Sequence, residues 1–153
     1  IADGIASFPG LAHRQELIGS RNGLSFINDS KATNGEAAAV ALRSYDSIFW
    51  LAGGQAKDGG LKAALHDLNR VKAAFIYGEC AAEFQTQLAG KSLQTQTFSS
   101  LEEASGAALA TAEAESIDSA TILLAPGAAS WDQFTSFEDR GDVFRALANA
   151  YLN

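Results

Sequence analysis

Leu24-Ser25-Phe26-Ile27, then Asn28-Asp29-Ser30-Lys31-Ala32-Thr33-Asn34, then the alanine-rich run from Glu36 to Leu42, form the stretch whose reading decides the fold. The first four residues have strand character, and the last seven have helix composition. Between them stand two ionisable groups, a serine, a threonine and two asparagines. A strand that delivers a polar loop to the start of a helix is where an α/β protein receives a small anionic or polar ligand. The first amides of the helix are unpaired, and its dipole favours negative charge there. A plain helix cap would use fewer polar groups, yet from physics alone the cap and the ligand loop stand level.

Working outward, Gln15 to Gly19 and Leu24 to Ile27 are two short strands joined by Ser20-Arg21-Asn22-Gly23, and Asn-Gly marks a hairpin turn. The helix over Gly35 to Arg43 has Asn34 or Thr33 available as its cap. An alternation follows. Ser47 to Ala52 is a buried strand ended by Gly53-Gly54, Leu61 to Leu68 a short helix, and Ala73 to Tyr77 a strand ended by Gly78. Ala81 to Leu88 is a helix, Leu93 to Phe98 an exposed or edge strand, and Leu101 to Ser116 the longest helix. Thr121 to Ala125 is the last strand, stopped by Pro126-Gly127, and Asp139 to Leu152 closes the chain as an amphipathic helix. Near-continuous apolar strands alternating with helices predict a doubly wound, Rossmann-like α/β fold. Its sheet is mostly parallel, with an antiparallel N-terminal hairpin at the edge and helices on both faces.

The 153 residues, 47% of them apolar, suit one domain that buries roughly 70% of its unfolded surface. A net charge of -7 with eleven scattered basic residues argues against a nucleic-acid partner, which needs clustered Lys and Arg. The longest apolar runs are far too short to span a bilayer. The single cysteine, Cys80, has no internal disulfide partner, and the N-terminus lacks signal-peptide character, so a cytoplasmic setting is expected. The chain begins at Ile1 and contains no methionine, which reads as a piece of a longer protein. Phe8-Pro9-Gly10 breaks the opening segment, so residues 1–13 read as a tail and hinge and residues 14–153 as the domain proper.

Ligands of doubly wound sheets bind beyond the carboxyl ends of the strands. Three loops there hold the unusual polar residues: Asn28 to Asn34, Gly53-Gly54-Gln55-Ala56-Lys57, and Pro126 to Phe137. Taken singly, Lys57 reads as a solvated surface charge and Gly53-Gly54 as turn punctuation. Gly90-Lys91-Ser92 imitates the end of a phosphate loop, but Gln85 occupies the position of its upstream glycine, and no GxGxxG follows the first strands. His13 and His66 have no ligands at metal spacing, so no metal site is expected; His13 reads as a surface or hinge histidine and His66 as a helix-surface one. Ser130 lies in no GxSxG elbow and has no histidine after it, which leaves it as a hydrogen-bond donor rather than a nucleophile.

Five spaced segments resemble the C-terminal domain of the Mur ligases. They are Phe8-Pro9-Gly10-Leu11-Ala12-His13-Arg14; Asn28 to Asn34; Gly53-Gly54 with Lys57; Pro126 to Phe134; and Phe137-Glu138-Asp139-Arg140-Gly141. The NDSKATN run resembles the branch that adds D-glutamate. The resemblance implies a three-domain bacterial enzyme of peptidoglycan synthesis, cytoplasmic and monomeric. In such an enzyme ATP, with Mg2+, activates the carboxylate of UDP-N-acetylmuramoyl-L-alanine as an acyl phosphate, which the amine of D-glutamate attacks. Mg2+ and the catalytic residues would belong to the missing central domain, with none in this one. Carried over by position, Thr33, Lys57, Ser130 and Phe137, the last through its backbone, resemble D-glutamate-binding positions. Arg14 and Asp29 resemble nucleotide-binding ones, and Lys31 and Asn28 support the loop. Ala12, Gly127, Ala128, Trp131 and the Gln55 to Gly60 loop depart from the usual pattern. Two other readings stand beside this one: a generic nucleotide-binding or regulatory α/β module, and a scaffold domain with no ligand.

Overall fold

The computed structural model describes residues 11–153, so residues 1–10 of the expected tail and hinge lie outside the described residues. The N-terminal hairpin is β1 (Glu16–Arg21) and β2 (Leu24–Asn28), paired antiparallel. Asn22 (φ 53°) and Gly23 (φ 83°) both take the left-handed conformation that a two-residue type I′ turn demands. After β2 come α1 (Gly35–Leu42), β3 (Ile48–Gly53), β4 (Val71–Tyr77) and α2 (Ala81–Leu88). The chain is completed by β5 (Gln94–Phe98), α3 (Leu101–Ala114), β6 (Ala120–Leu124) and α4 (Phe137–Leu152).

The six strands form one sheet in the order β1-β2-β6-β3-β4-β5, parallel apart from the β1-β2 pair. Alternation along the strands divides the core. Ile27, Ile48, Trp50, Ala52 and Ile76 face one side with Leu42 of α1 and Phe84 of α2. Phe26, Phe49, Leu51, Phe75 and Tyr77 face the other with Leu101 of α3 and Phe144 of α4. Every residue of β3 and β6 is buried, as central parallel strands covered on both faces require. The polar strand β5 is one of the two edge strands, as its composition predicts, and β1 is the other.

Two sequence expectations are corrected. Leu61 to Leu68 is not an α-helix but a run of tight i to i+3 turns around a single 3-10 turn at Lys62–Ala64. Leu61 and Ala64, three residues apart, are the buried positions, a spacing that a three-residue turn satisfies. The closing helix starts at Phe137, two residues before the expected Asp139. Ser136 caps it by accepting the Asp139 amide, so the aromatic Phe137 becomes the first helical residue.

The strand order positions the site. The last strand in the sequence, β6, is inserted between β2 and β3. The loops that leave these three neighbours therefore lie side by side at one end of the sheet, although they are distant in sequence.

Candidate functional site

Backbone bonds stitch the three loops together. Asp29 N donates to Leu124 O, Gly53 N to Pro126 O and Gly127 N to Ala32 O. Gln55 and Ala129 form an isolated antiparallel bridge, exchanging bonds of 2.8 and 2.9 Å, that joins the second loop to the third. Asn34 spends its side chain capping α1 by accepting from Ala37 N at 2.8 Å, which leaves the Thr33 hydroxyl free for another task.

Lys57 Nζ donates to that hydroxyl at 3.1 Å. Because Thr33 accepts from the ammonium, its own O–H remains able to donate, as do the remaining Lys57 N–H groups. This combination offers hydrogen-bond donors and positive charge, and suits a carboxylate. Ser130 is buried one residue beyond the Gln55–Ala129 bridge. Phe137 is the first residue of α4, where the helix ladder leaves the backbone N–H unpaired, and its carbonyl accepts from Ser30 Oγ at 2.7 Å. Thr33 and Lys57 thus touch directly, Ser130 follows the backbone bridge between Ala129 and the Lys57 loop, and Phe137 is bonded through its carbonyl to the Ser30 hydroxyl of the first loop.

Arg140 holds this arrangement from beneath. Its guanidinium, fully buried, donates through Nε to Ser30 Oγ (2.9 Å), through Nη2 to Ser30 O (2.7 Å) and through Nη1 to Ala128 O (3.0 Å). Three elements meet on one planar fork: the first loop, the third loop and α4. Burial pulls its pKa down, opposed by the neighbouring Tyr77 and Asp132. The sequence reading quotes Arg140 in a motif but gives it no role. A usable signal exists, since a cation in the first turn of a helix is opposed by the dipole and needs a reason from elsewhere.

Arg14, Asp29 and Lys31 gather at a second place. With Gln15, Ala32, Ala37 and Val40 they line a cleft of about 300 Å³. His13 (φ 64°) and Gln15 (φ 44°), on either side of Arg14, take the left-handed backbone. Such conformations cost on the order of 1–3 kcal/mol each and persist only where neighbours enforce them. Here Gln15 N donates to Asp29 Oδ1, His13 N to Glu16 Oε1 and Lys31 N to His13 O. Burial pushes the Asp29 carboxyl up to about 6, against the Gln15 amide and the Arg14 charge that favour ionisation. Asp29 is thus a desolvated carboxylate that shares this cleft with Arg14, Lys31 and apolar side chains.

Of the two roles expected for His13, surface or hinge, the first is corrected: the residue is buried, only 7% exposed. Its ring packs edge-on to Phe137, and Asn28 Nδ2 donates to Nδ1 at 3.1 Å. That bond places the ring proton on Nε2, facing Asp142 Oδ1 at 3.7 Å. Asn28 is wholly buried, with Oδ1 accepting from Ser30 N. Gly141 makes room for the ring, since a Cβ there would lie 2.1 Å from His13 Nδ1. Gly141→Ala is expected to cost about 1–3 kcal/mol through overpacking, although alanine is the better helix former. The midpoint of urea denaturation checks this.

The fold and these loops define an α/β domain of Rossmann type that offers two adjoining polar sites at the carboxyl ends of its central strands. The Mur ligase, glutamate ligase domain family model matches residues 13–128, and the chain belongs to that family. It is 48% identical over 151 residues to the UDP-N-acetylmuramoylalanine--D-glutamate ligase of Paramagnetospirillum magneticum, covering 99% of this chain and 33% of that protein. It is also 48% identical to the ligase of the same name from Rhodospirillum rubrum, over 96% of this chain and 31% of that one. The chain therefore spans about a third of the length of the curated relatives it matches. A bifunctional folylpolyglutamate synthase/dihydrofolate synthase from Yersinia pestis CO92 has the same fold, with a TM-score of 0.58 at 18% identity over 91% of this chain and 32% of that one.

Proposed function

We propose that residues 14–153 are the amino-acid-receiving domain of a bacterial, cytoplasmic, monomeric ligase that joins D-glutamate to UDP-N-acetylmuramoyl-L-alanine. Residues 1–13 would be the hinge from a preceding domain. The observation that carries the reading is the Thr33–Lys57 pair, an ammonium hydrogen-bonded to a hydroxyl that can itself donate. D-glutamate brings two carboxylates, and each charge-assisted hydrogen bond to them contributes about 1.5–3 kcal/mol. Lys57 and Thr33 hold one, while Ser130 and the first amide of α4 serve the other. Held in this way, the substrate amine is directed toward the acyl carbon that it attacks, a positioning effect worth several kcal/mol of barrier.

The cleft of Arg14, Asp29 and Lys31 fits part of ATP: Arg14 for phosphate oxygens, the Asp29 carboxylate for ribose hydroxyls, Lys31 supporting the loop, and Ala37 and Val40 for an apolar surface. ATP supplies the activation of the acceptor carboxylate. Mg2+ would be held mainly by another domain of the full-length enzyme. The catalytic residues would lie there too, and this domain alone would be inactive.

In the full-length enzyme, Lys57→Ala and Thr33→Ala are each expected to raise the KM for D-glutamate about 10–100-fold, the loss of one charge-assisted bond. The KM for ATP should move little. An unchanged D-glutamate KM in both variants would overturn the assignment, and a change in the KM for ATP alone would favour a nucleotide site in its place.

A further inference from the structure

Lys57 is exposed on a loop that contains two glycines, Gly59 and Gly60, and such a loop by composition alone would not hold an ammonium in one place. Two clamps bracket it. At the front is the Gln55–Ala129 bridge. At the back is Gln87, on α2: its Oε1 accepts from Leu61 N at 2.9 Å and its Nε2 donates to Gly59 O at 3.0 Å. A primary amide here pairs with the backbone as a peptide group would, one donor and one acceptor used together. The turn it fastens closes on Lys57 itself, because Gly60 N donates to Lys57 O at 3.0 Å.

The fit of the loop on the helix is close. Gly60 takes φ 53°, and a Cβ there would lie 2.6 Å from both Gln87 Oε1 and Glu83 Oε2. Glu83 and Gln87 are one helical turn apart, so they form a seat for Gly60 on a single face of α2. Between the two clamps only Ala56, Lys57 and Asp58 are unfastened by either. Gln87 makes no hydrogen bond to Lys57 or Thr33; it acts through the backbone.

We propose that Gln87 is a positioning residue: by fastening Gly59 and Leu61 to α2 it fixes where the Lys57 ammonium stands beside Thr33, and so sets the affinity for the carboxylate of the incoming amino acid. The proposal rests on the reading of Lys57 given above.

The test uses the full-length enzyme, with KM for D-glutamate, KM for ATP and kcat measured for Gln87→Met, Gln87→Glu, Lys57→Ala and the Gln87→Met/Lys57→Ala double variant. Methionine keeps the volume and removes both hydrogen bonds. Gln87→Met is expected to raise the D-glutamate KM about tenfold, the low end for two neutral bonds, with ATP KM and kcat within about twofold. Gln87→Glu keeps the acceptor for Leu61 N but not the donor to Gly59 O, and should fall between wild type and Gln87→Met. In the Lys57→Ala background Gln87→Met should add nothing, because there is no ammonium left to place. Equal losses in all three parameters, full additivity in the double variant, or a wild-type D-glutamate KM for Gln87→Met would each overturn the proposal while leaving the reading of Lys57 intact. A wild-type D-glutamate KM for Lys57→Ala would overturn both.

Discussion

Arg140→Met is expected to destabilise this chain by about 3 kcal/mol, the net result of leaving three buried acceptors without their charged donor. Those acceptors are Ser30 Oγ, Ser30 O and Ala128 O, all bonded at 2.7–3.0 Å to a guanidinium with no solvent exposure. Methionine matches the apolar stem and relieves the cost of a buried charge, which keeps the loss below the sum of the separate bonds. For a chain of this size the melting temperature should drop by roughly 6–12 °C. Arg140→Lys should be nearly as harmful, because one ammonium cannot span acceptors on two loops as a planar fork does. Equilibrium urea denaturation, with the slope checked for constancy, measures the effect. If Arg140→Lys retained wild-type stability, burial of charge rather than the fork geometry would be what matters at this position.

Asp29→Asn should do the opposite at neutral pH. Burial raises the Asp29 carboxyl from 3.8 in a free chain to about 6 in the fold, so the native state holds its proton more tightly than the unfolded state does. This group's contribution is therefore fully favourable below about pH 4 and is lost as the pH rises through about 6. Above that, an ionised carboxylate is kept in a half-desolvated cleft at a cost of about 3 kcal/mol relative to its protonated form. Asparagine keeps an acceptor for Gln15 N without the charge. The variant should be more stable than wild type by about 2–3 kcal/mol at pH 7.5, with the difference closing toward pH 4. Urea denaturation across that range measures both curves. A stability difference independent of pH would show that ionisation is not its source. In the full-length enzyme the same substitution should raise the KM for ATP, since stabilising a site by removing its strained charge commonly costs function.

The elements of the fold were largely legible because their local causes are strong. Asn22-Gly23 admits few turns other than a hairpin, and the unbroken apolar runs of β3 and β6 are readable only as strands buried on both faces. The failures lay where local and tertiary demands differ. Leu61 to Leu68 has helical composition, yet the seat for Leu61 and Gly60 on α2 holds it in 3-10 turns. His13, polar and close to a proline-glycine break, looked solvent-facing. The pocket that buries it is built by Gly141, Asn28 and Phe137, more than a hundred residues away in two of the three cases. Arg140 and Gln87 left little trace for a similar reason, since a polar side chain on a helix is usually a solvated one.

By itself the sequence determined the α/β class, the hairpin, the polar loop after β2 and the set of residue types capable of receiving a carboxylate, because each follows from periodicity, turn chemistry or a short motif. The tertiary structure alone decided which of those residues meet. Inserting the last strand between the second and third sets its loop against Ala32 on one side and Gln55 on the other, and Lys57 reaches Thr33 across it. A buried guanidinium and a backbone-pairing glutamine then hold what the strand order has assembled. Strand order is set by the packing of two faces of a sheet against the helices that cover them, a global balance that no single stretch of the chain encodes.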